Sequence, residues 1–305
     1  MRPLGPPFGD PAQLLTWARR ADTTPFTAVA LPGRPVFGAP EPLITLATLA
    51  GATSRIRLQA EVPLTPPHGT ELLAQQAATL DLLTGGRFTL GFGPGGRPDE
   101  CDECDDRDEC DEGEDHDGGP GAGACLRTRS RRLDARMATL RRIRTSAKPT
   151  GDVGPAPARP GVLFGGATPT VAERVARWGD GFVGAALPSQ QMDLLFRYVE
   201  TAWGRAGRTG HPRLLAQVDV ALGPRSTVDR ARQALRTYYQ SLGPADHMVD
   251  GILTSRDEIR DAVAGYTAIG ADEVLLHCWS SDPEQIDRLA DALFPPDGDW
   301  PGIGE

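Results

Sequence analysis

The chain has 305 residues, 39% of them apolar and 24% charged, and a net charge of -9. That length suits one large α/β domain, and no basic stripe with interleaved aromatics is present to hold nucleic acid. The start, MRPLGPPFGD, lacks a secretory apolar core and no stretch approaches a membrane span, so the expectation is a cytoplasmic chain with neither membrane nor nucleic-acid partners.

In chain order, Pro11–Ala21 carries apolar residues at helical spacing and Phe26–Leu31 is a short β-rich run. A helix through EPLITLATLAGATS repeats Leu43, Leu46 and Leu49 beside Ala47 and Ala50, and Arg55–Val62 follows as a strand. TELLAQQAATLDLLTGG sets Leu72, Leu73, Ala77, Leu80 and Leu83 along a stripe and stops at Gly85–Gly86, before the strand Arg87–Gly93. The alternation continues with the helix SRRLDARMATLRRI, the strand PGVLFGG, the helix TPTVAERVARWG, the strand DGFVGAAL and the helix MDLLFRYVETAWGRAG. The strand RLLAQVDVAL precedes two helices, STVDRARQALRTYYQSL and SRDEIRDAVAGYTAIG, then the strand ADEVLLHC and a last helix around PEQIDRLADAL.

Two segments interrupt this rhythm. Residues 98–126 form an acidic, glycine-rich, cysteine-containing insertion after the fourth strand; within it, residues 99–117 hold thirteen Asp and Glu against one Arg. Residues 145–160 read as an exposed Pro/Gly loop. The negative charge of the chain is therefore local, and the remainder is mildly positive.

Short, nearly wholly apolar strands separated by helices predict a parallel sheet covered by helices. Seven strands are countable, which approaches a (β/α)₈ TIM barrel in a single domain over residues 1–305. The Pro- and Gly-rich start is a poor central strand, so the barrel is expected to be open or irregular at its first strand. A doubly wound open sheet is the alternative, and it would normally carry a glycine fingerprint in its first strand–helix turn, which this chain lacks.

At SRIRLQAEV, LLAQQAATLDLLTGGRFTLGFGPGGRPDE and GGATPTVAERVARWGDGF the chain resembles the luciferase-like monooxygenase superfamily, flavin- or F420-dependent oxidoreductases on a (β/α)₈ barrel. The resemblance covers most of residues 12–294. It implies a cofactor, FMN or alternatively F420, at the C-terminal face, and a small organic substrate over its ring. FMN with oxygen would carry out monooxygenation, and F420 hydride transfer. A flavin reductase and a second subunit in a homo- or hetero-dimer are the implied protein partners.

The resemblance also assigns site residues. Gly165, Gly166, Ala167 and Thr168 correspond to a phosphate-holding turn, where free N–H groups at a helix start would meet the anion. A tight strand–helix turn is the plainer reading of the same glycines. Gly95, Gly96 and Arg97 follow the fourth strand, where Arg97 would offer a positive charge or simply pair with Asp99 or Glu100. Ala60, Glu61 and Val62 correspond to the segment that backs the flavin ring; Glu61 would set a costly charge there, or stand as an exposed acid at a strand end. His68 is the titratable group on the expected face and the candidate catalytic residue, or alternatively a group that helps set the loop. His277, within VLLHC, reads as a buried, satisfied histidine or one pointing into the barrel mouth.

Four of the five cysteines, Cys101, Cys104, Cys110 and Cys125, lie in the insertion beside His116 and supply enough soft ligands for zinc, although only the first spacing is regular. A solvated acidic loop is the competing reading. Cys278 reads as an ordinary buried thiol. The loop LPGRPVFG lacks the Asp-His pair that the family often carries. With Glu61 and the altered first strand, it keeps open a second function: a catalytically decayed barrel serving as a partner subunit or binding module.

Overall fold

The strands are β1 (Arg2–Pro3), β2 (Ala28–Pro32), β3 (Arg57–Glu61), β4 (Phe88–Phe92), β5 (Gly161–Gly165), β6 (Gly181–Val183), β7 (Arg213–Val220) and β8 (Glu273–Cys278). In the computed structural model they are all parallel and lie in the order β1-β8-β7-β6-β5-β4-β3-β2, the cyclic order of a (β/α)₈ barrel. The structure describes residues 2–3, 11–33, 40–61, 69–93, 122–145, 160–166, 168–239 and 246–295.

The expected irregularity is at β1, a two-residue strand laddered only to β8 through Arg2↔His277 and Pro3↔Cys278. Among the described residues no ladder joins β1 to β2. Proline lacks the N–H that a second ladder would use.

Around the sheet lie α1 (Pro11–Thr23), α2 (Pro42–Ala50), α3 (Thr70–Thr84), α4 (Ala122–Thr145), α5 (Thr170–Trp178), α6 (Ser189–Arg205), α7 (Arg225–Tyr239), α8 (Asp246–Asp250), α9 (Arg256–Ala268) and α10 (Glu284–Leu293). α3 ends as expected: Gly85 and Gly86 adopt φ of 63° and 86°, and the Gly86 N–H donates to the Asp81 carbonyl at 2.9 Å. Its buried face is Leu73, Ala77, Leu80 and Thr84; Leu72 and Leu83 are exposed, because the 3.6-residue period carries them off that stripe. α4 starts eight residues before the expected Ser130, so residues 122–126, read from sequence as loop, are helical. Ala122, Ala124 and Leu126 tolerate a helix, whereas the glycines and acids around them hide that in composition. The rest of the insertion up to residue 121, and residues 146–159, lie outside the described residues.

Strand side chains alternate between two compartments. Leu58, Ala60, Phe88, Leu90, Phe92, Phe164 and Phe182 belong to the large core between sheet and helices. Ala30, Leu163, Val183, Leu215 and Leu275 form a separate small cluster inside the barrel. Continuing that inward register, Arg57, Arg213 and Glu273 occupy the N-terminal end of the lumen, while Gln59, Glu61, Gln217, Asp219 and His277 occupy its middle and C-terminal end. Arg57 Nη2 lies 2.7 Å from Glu273 Oε2, and Arg213 Nε donates to Glu273 Oε1 at 2.7 Å.

The N-terminal rim is stitched by carboxylates, Asp180 and Asp272 just before strands and Asp22 at the end of α1. Asp180 accepts from the Val162 N–H at 2.8 Å and Asp272 from the Leu214 N–H at 2.7 Å. Asp22 accepts the backbone N–H groups of Ser54, Arg55 and Ile56 at 2.9, 2.9 and 2.7 Å. Burial raises the Asp22 carboxyl, but these N–H groups with the Ser54 hydroxyl outweigh it and hold its pKa at about 2, below the ordinary 3.8.

After β7 the chain leaves the barrel pattern. α7 and α8 intervene before α9 and build a second apolar cluster from Ala231, Ala234, Leu235, Tyr238, Val249 and Ile252 around Trp279. The chain then rejoins the barrel where the Leu253 N–H donates to the Asp219 carbonyl at 3.0 Å and the Ala221 N–H to the Leu253 carbonyl at 3.0 Å. α7 and α8 thus form a helical cap on the C-terminal side of β7 and β8. Among the described residues no helix is long and apolar enough to cross a membrane.

Two outcomes follow from this packing. A Cβ on Gly181 would lie 2.1 Å from the Arg213 carbonyl oxygen of the adjoining strand. Gly181→Ala is therefore expected to lower unfolding free energy by about 2–3 kcal/mol in urea titrations. Because the folded-state pKa of Asp22 is depressed, its stabilisation is present above the ordinary carboxylate pKa and is lost as pH falls toward about 2. Asp22→Asn should lower stability at neutral pH and flatten its fall between about pH 4 and pH 2, read by denaturant melts across that range.

Candidate functional site

The C-terminal end of the lumen holds a set of buried polar side chains brought together from three strands. β3 supplies Gln59 and Glu61, β7 supplies Gln217 and Asp219, and β8 supplies His277. Each sits at every second position of an otherwise apolar strand, which puts all of them on the inward face.

Gln217 Nε2 donates to Glu61 Oε1 at 2.6 Å, a contact that crosses the barrel from β7 to β3. The His277 ring lies between two carboxylates, with Nε2 3.6 Å from Glu61 Oε2 and Nδ1 3.4 Å from Asp219 Oδ1. Asp219 Oδ1 also accepts the Trp279 indole N–H at 2.7 Å. Glu61 is 2% exposed, so the reading of it as an exposed acid at a strand end is corrected: its carboxylate points into the lumen and accepts from the Gln217 amide there. His277 satisfies both sequence readings at once, being buried, in contact with polar groups and at the barrel mouth.

Beneath Glu61, Gln59 is fully buried beside Thr89 of β4, and neither its amide nitrogen nor its oxygen has a hydrogen-bond partner among the described residues. A buried amide in that condition is uncommon. It gives the lumen one donor and one acceptor for a bound group. With a carboxylate pair, an imidazole and an amide, the site can orient a polar ligand and hold or pass a proton.

The other expected site residues are distributed as follows. Ala60 faces away from the lumen into the sheet–helix core and is fully buried. Gly165 ends β5 and Gly166 follows it; Thr168 is exposed and Pro169 caps α5, which begins at Thr170. In that first turn the Val171 and Ala172 N–H groups bond back to the Thr168 and Pro169 carbonyls at 3.1 and 3.0 Å, and proline has no N–H. Among the described residues, the amides of Gly166, Thr168 and Thr170 and the Thr168 hydroxyl are the groups left for an anion.

Val62, His68, Gly95, Gly96, Arg97, Cys101, Cys104, Cys110 and Ala167 lie outside the described residues, as does the side chain of Cys125, whose backbone lies in α4. Among the described residues no three His, Cys, Asp or Glu side chains are grouped to hold a metal. Cys278 is buried as expected, and burial pushes its thiol up to about 12.

Sequence reasoning missed Gln59, Gln217, Asp219 and Trp279. The signal was present in QAE and QVD, polar residues two apart inside strands apolar on both sides of the pleat, a spacing that a packed core does not require.

A family model described as luciferase-like monooxygenase matches residues 3–275. A 59-residue stretch is 48% identical to a 4-hydroxyprotoasukamycin monooxygenase of Streptomyces nodosus subsp. asukaensis, covering 19% of this chain and only 16% of that relative's length. Among solved structures, the monooxygenase RslO1 from Streptomyces bottropensis superposes with a TM-score of 0.67 at 21% identity, covering 93% of each chain. An F420-dependent secondary alcohol dehydrogenase, determined in complex with an F420-acetone adduct, gives a TM-score of 0.71 at 15% identity, covering 92% of this chain and 94% of that one.

Gln217→Leu removes the donor that Glu61 Oε1 uses inside the lumen. It is expected to cost about 1–3 kcal/mol of folding free energy, measured by urea unfolding monitored through far-UV circular dichroism.

Proposed function

The chain belongs to the luciferase-like monooxygenase family, and on that premise we propose that it is an oxidoreductase acting on a small organic substrate at the C-terminal mouth of the barrel, with reduced FMN, or alternatively F420, as its cofactor. The observation that carries this reading is the convergence of Glu61, Asp219, His277 and Gln217 on the lumen at the strand ends where barrel enzymes work.

The β5–α5 turn fits the phosphate that FMN and F420 share. Gly166 has no positive φ, and a Cβ on it would meet Val171 at an ordinary 3.5 Å. The fold itself does not demand glycine there, which favours close approach by a ligand. The Thr168 hydroxyl and the amides of Gly166, Thr168 and Thr170 would hold the anion. When bound, the cofactor supplies the two-electron redox step. The chain contributes binding and proton handling: Gln217 fixes Glu61, Asp219 and Glu61 flank His277, and Gln59 offers an amide beneath them.

Val62, Gly95, Gly96, Arg97 and His68 remain in this proposal as cofactor contacts and, for His68, as the acid–base group, on the strength of the family resemblance. Beside the altered first strand and the LPGRP loop, Glu61 was one of three sequence arguments for a decayed barrel. Its contacts with Gln217 and His277 remove that argument, because the charge is accommodated within the lumen. We place the reaction in the cytoplasm, with a flavin reductase supplying reduced cofactor if FMN is used. Exposed Ile44 on α2 and Leu72, Leu82 and Leu83 on the neighbouring α3 support pairing with a second subunit.

The test is a titration of the purified chain with FMN and with F420, oxidised and reduced, followed by absorbance and fluorescence. Saturable binding of one cofactor, weakened at least tenfold by Gly166→Asp in a variant of unchanged circular dichroism, is the expected result. Absence of binding for both, or binding indifferent to Gly166→Asp, would contradict the proposal or its phosphate turn respectively.

A further inference from the structure

The cap and the lumen meet in one carboxylate. Asp219 and His277 are ladder partners on the adjoining strands β7 and β8, and both are buried on the inward face. Trp279 follows His277 by two residues and so leaves the strand on the same side. Its backbone N–H donates to the Val220 carbonyl at 3.0 Å, and its ring packs among Ala231, Ala234, Leu235 and Tyr238 of α7.

Two donors from this segment converge on one oxygen. Asp219 Oδ1 accepts the indole N–H at 2.7 Å, while His277 Nδ1 lies 3.4 Å from the same atom, longer than a full hydrogen bond. The indole is fixed in place: it is 1% exposed, and the Tyr238 ring meets it edge-on with centroids 5.3 Å apart. Trp279, bonded at the shorter distance, therefore sets where the carboxylate sits.

Packing alone does not account for a carboxylate here. A buried indole N–H needs one acceptor, and a backbone carbonyl or a neutral amide would serve at far lower desolvation cost than Asp219, which is 4% exposed. What a carboxylate adds is its hold on the imidazole beside it. A neutral imidazole carries one N–H, and its other nitrogen is an acceptor. Asp219 approaches Nδ1 at 3.4 Å, Glu61 approaches Nε2 at 3.6 Å, and Glu61 Oε1 already takes the Gln217 amide at 2.6 Å. The ring proton accordingly belongs on Nδ1, which leaves Nε2, on the Glu61 side, as the nitrogen that takes up a proton.

We infer that Trp279 is a positioning residue of the lumen: by holding Asp219 Oδ1 with its indole N–H, it limits how strongly that carboxylate draws on the Nδ1 proton of His277. An acceptor divided between two donors holds each less strongly than it would hold one, and hydrogen bonds to a carboxylate are strong enough for the division to matter. The seat of the α7–α8 cap on Trp279 is thereby linked to the imidazole at the barrel mouth. The use of His277 in turnover rests on the oxidoreductase reading; the arrangement of the three side chains does not.

The experiment records proton–nitrogen correlation spectra of the histidine and tryptophan rings in the isotope-labelled full chain, without cofactor. Among the five histidines, His277 is identified by the signals lost in His277→Gln. The wild-type chain should show the Nδ1–H tautomer. Trp279→Phe, which keeps an aromatic ring in the cluster, should move the His277 Hδ1 resonance downfield, because Asp219 then serves one donor in place of two. Asp219→Asn, close to the same shape, should move both that resonance and the Trp279 indole proton upfield. An Nε2–H tautomer in the wild-type chain, or a His277 Hδ1 resonance that Trp279→Phe leaves in place, overturns the inference. If Trp279→Phe fails to fold, the wild-type tautomer and Asp219→Asn decide it. Absence of FMN and F420 binding contradicts the redox reading instead and leaves this arrangement standing.

Discussion

The barrel depends on polar bridges that cross its lumen. A (β/α)₈ sheet is ordinarily closed by a continuous ring of backbone hydrogen bonds, and here, among the described residues, β1 contributes two residues with no ladder to β2. β3 is instead tied directly to β7 and β8. At the N-terminal end Glu273 bridges Arg57 and Arg213, and at the C-terminal end Glu61 meets Gln217 and faces His277. Apolar contacts alone would hold the lumen without fixing its register. Paired charges at the N-terminal end and a hydrogen-bonded carboxylate at the C-terminal end do both, because a buried charge is costly to leave without a partner.

The upper bridge has a second consequence. The groups that join β3 to β7 and β8 are also the ones that make the mouth of the barrel polar, so closure of the fold and assembly of the site share residues. Asp219 extends this arrangement outward to Trp279, and Trp279 is the centre on which α7 and α8 pack. Cap, lumen and barrel seam therefore form one connected set of contacts. A change in how the cap sits on Trp279 acts on the carboxylate that flanks His277.

Much of the barrel was legible because helix and strand periods differ. Leu73, Ala77 and Leu80 with Gly85 mark α3 at both its face and its end, and the short apolar run VLLHC between two helical patterns reads as a strand covered on both sides. The start of α4 was hidden because Gly123 and the preceding acids outweigh the helix-tolerant residues between them. The excursion of α7 and α8 was hidden for a different reason: an amphipathic helix looks the same whether its apolar face covers the barrel wall or its rim. At the site, Glu61 and His277 stood out as polar, titratable side chains in apolar strands, but their pairing across the lumen is a property of barrel curvature that a linear pattern does not contain. Ala60 and Glu61, adjacent in sequence, face opposite sides of the sheet, which is the period of two acting on a segment that the family resemblance treats as a unit.

The most direct test of lumen bridging is a double-mutant cycle on Arg57 and Glu273, using Arg57→Met, Glu273→Gln and the double variant, with unfolding free energies from urea titrations. Bridging of β3 to β8 across the seam predicts a coupling of about 1 kcal/mol or more, the double variant being less destabilised than the two single changes together. Additivity within about 0.3 kcal/mol would contradict it and leave closure of the barrel to apolar packing alone.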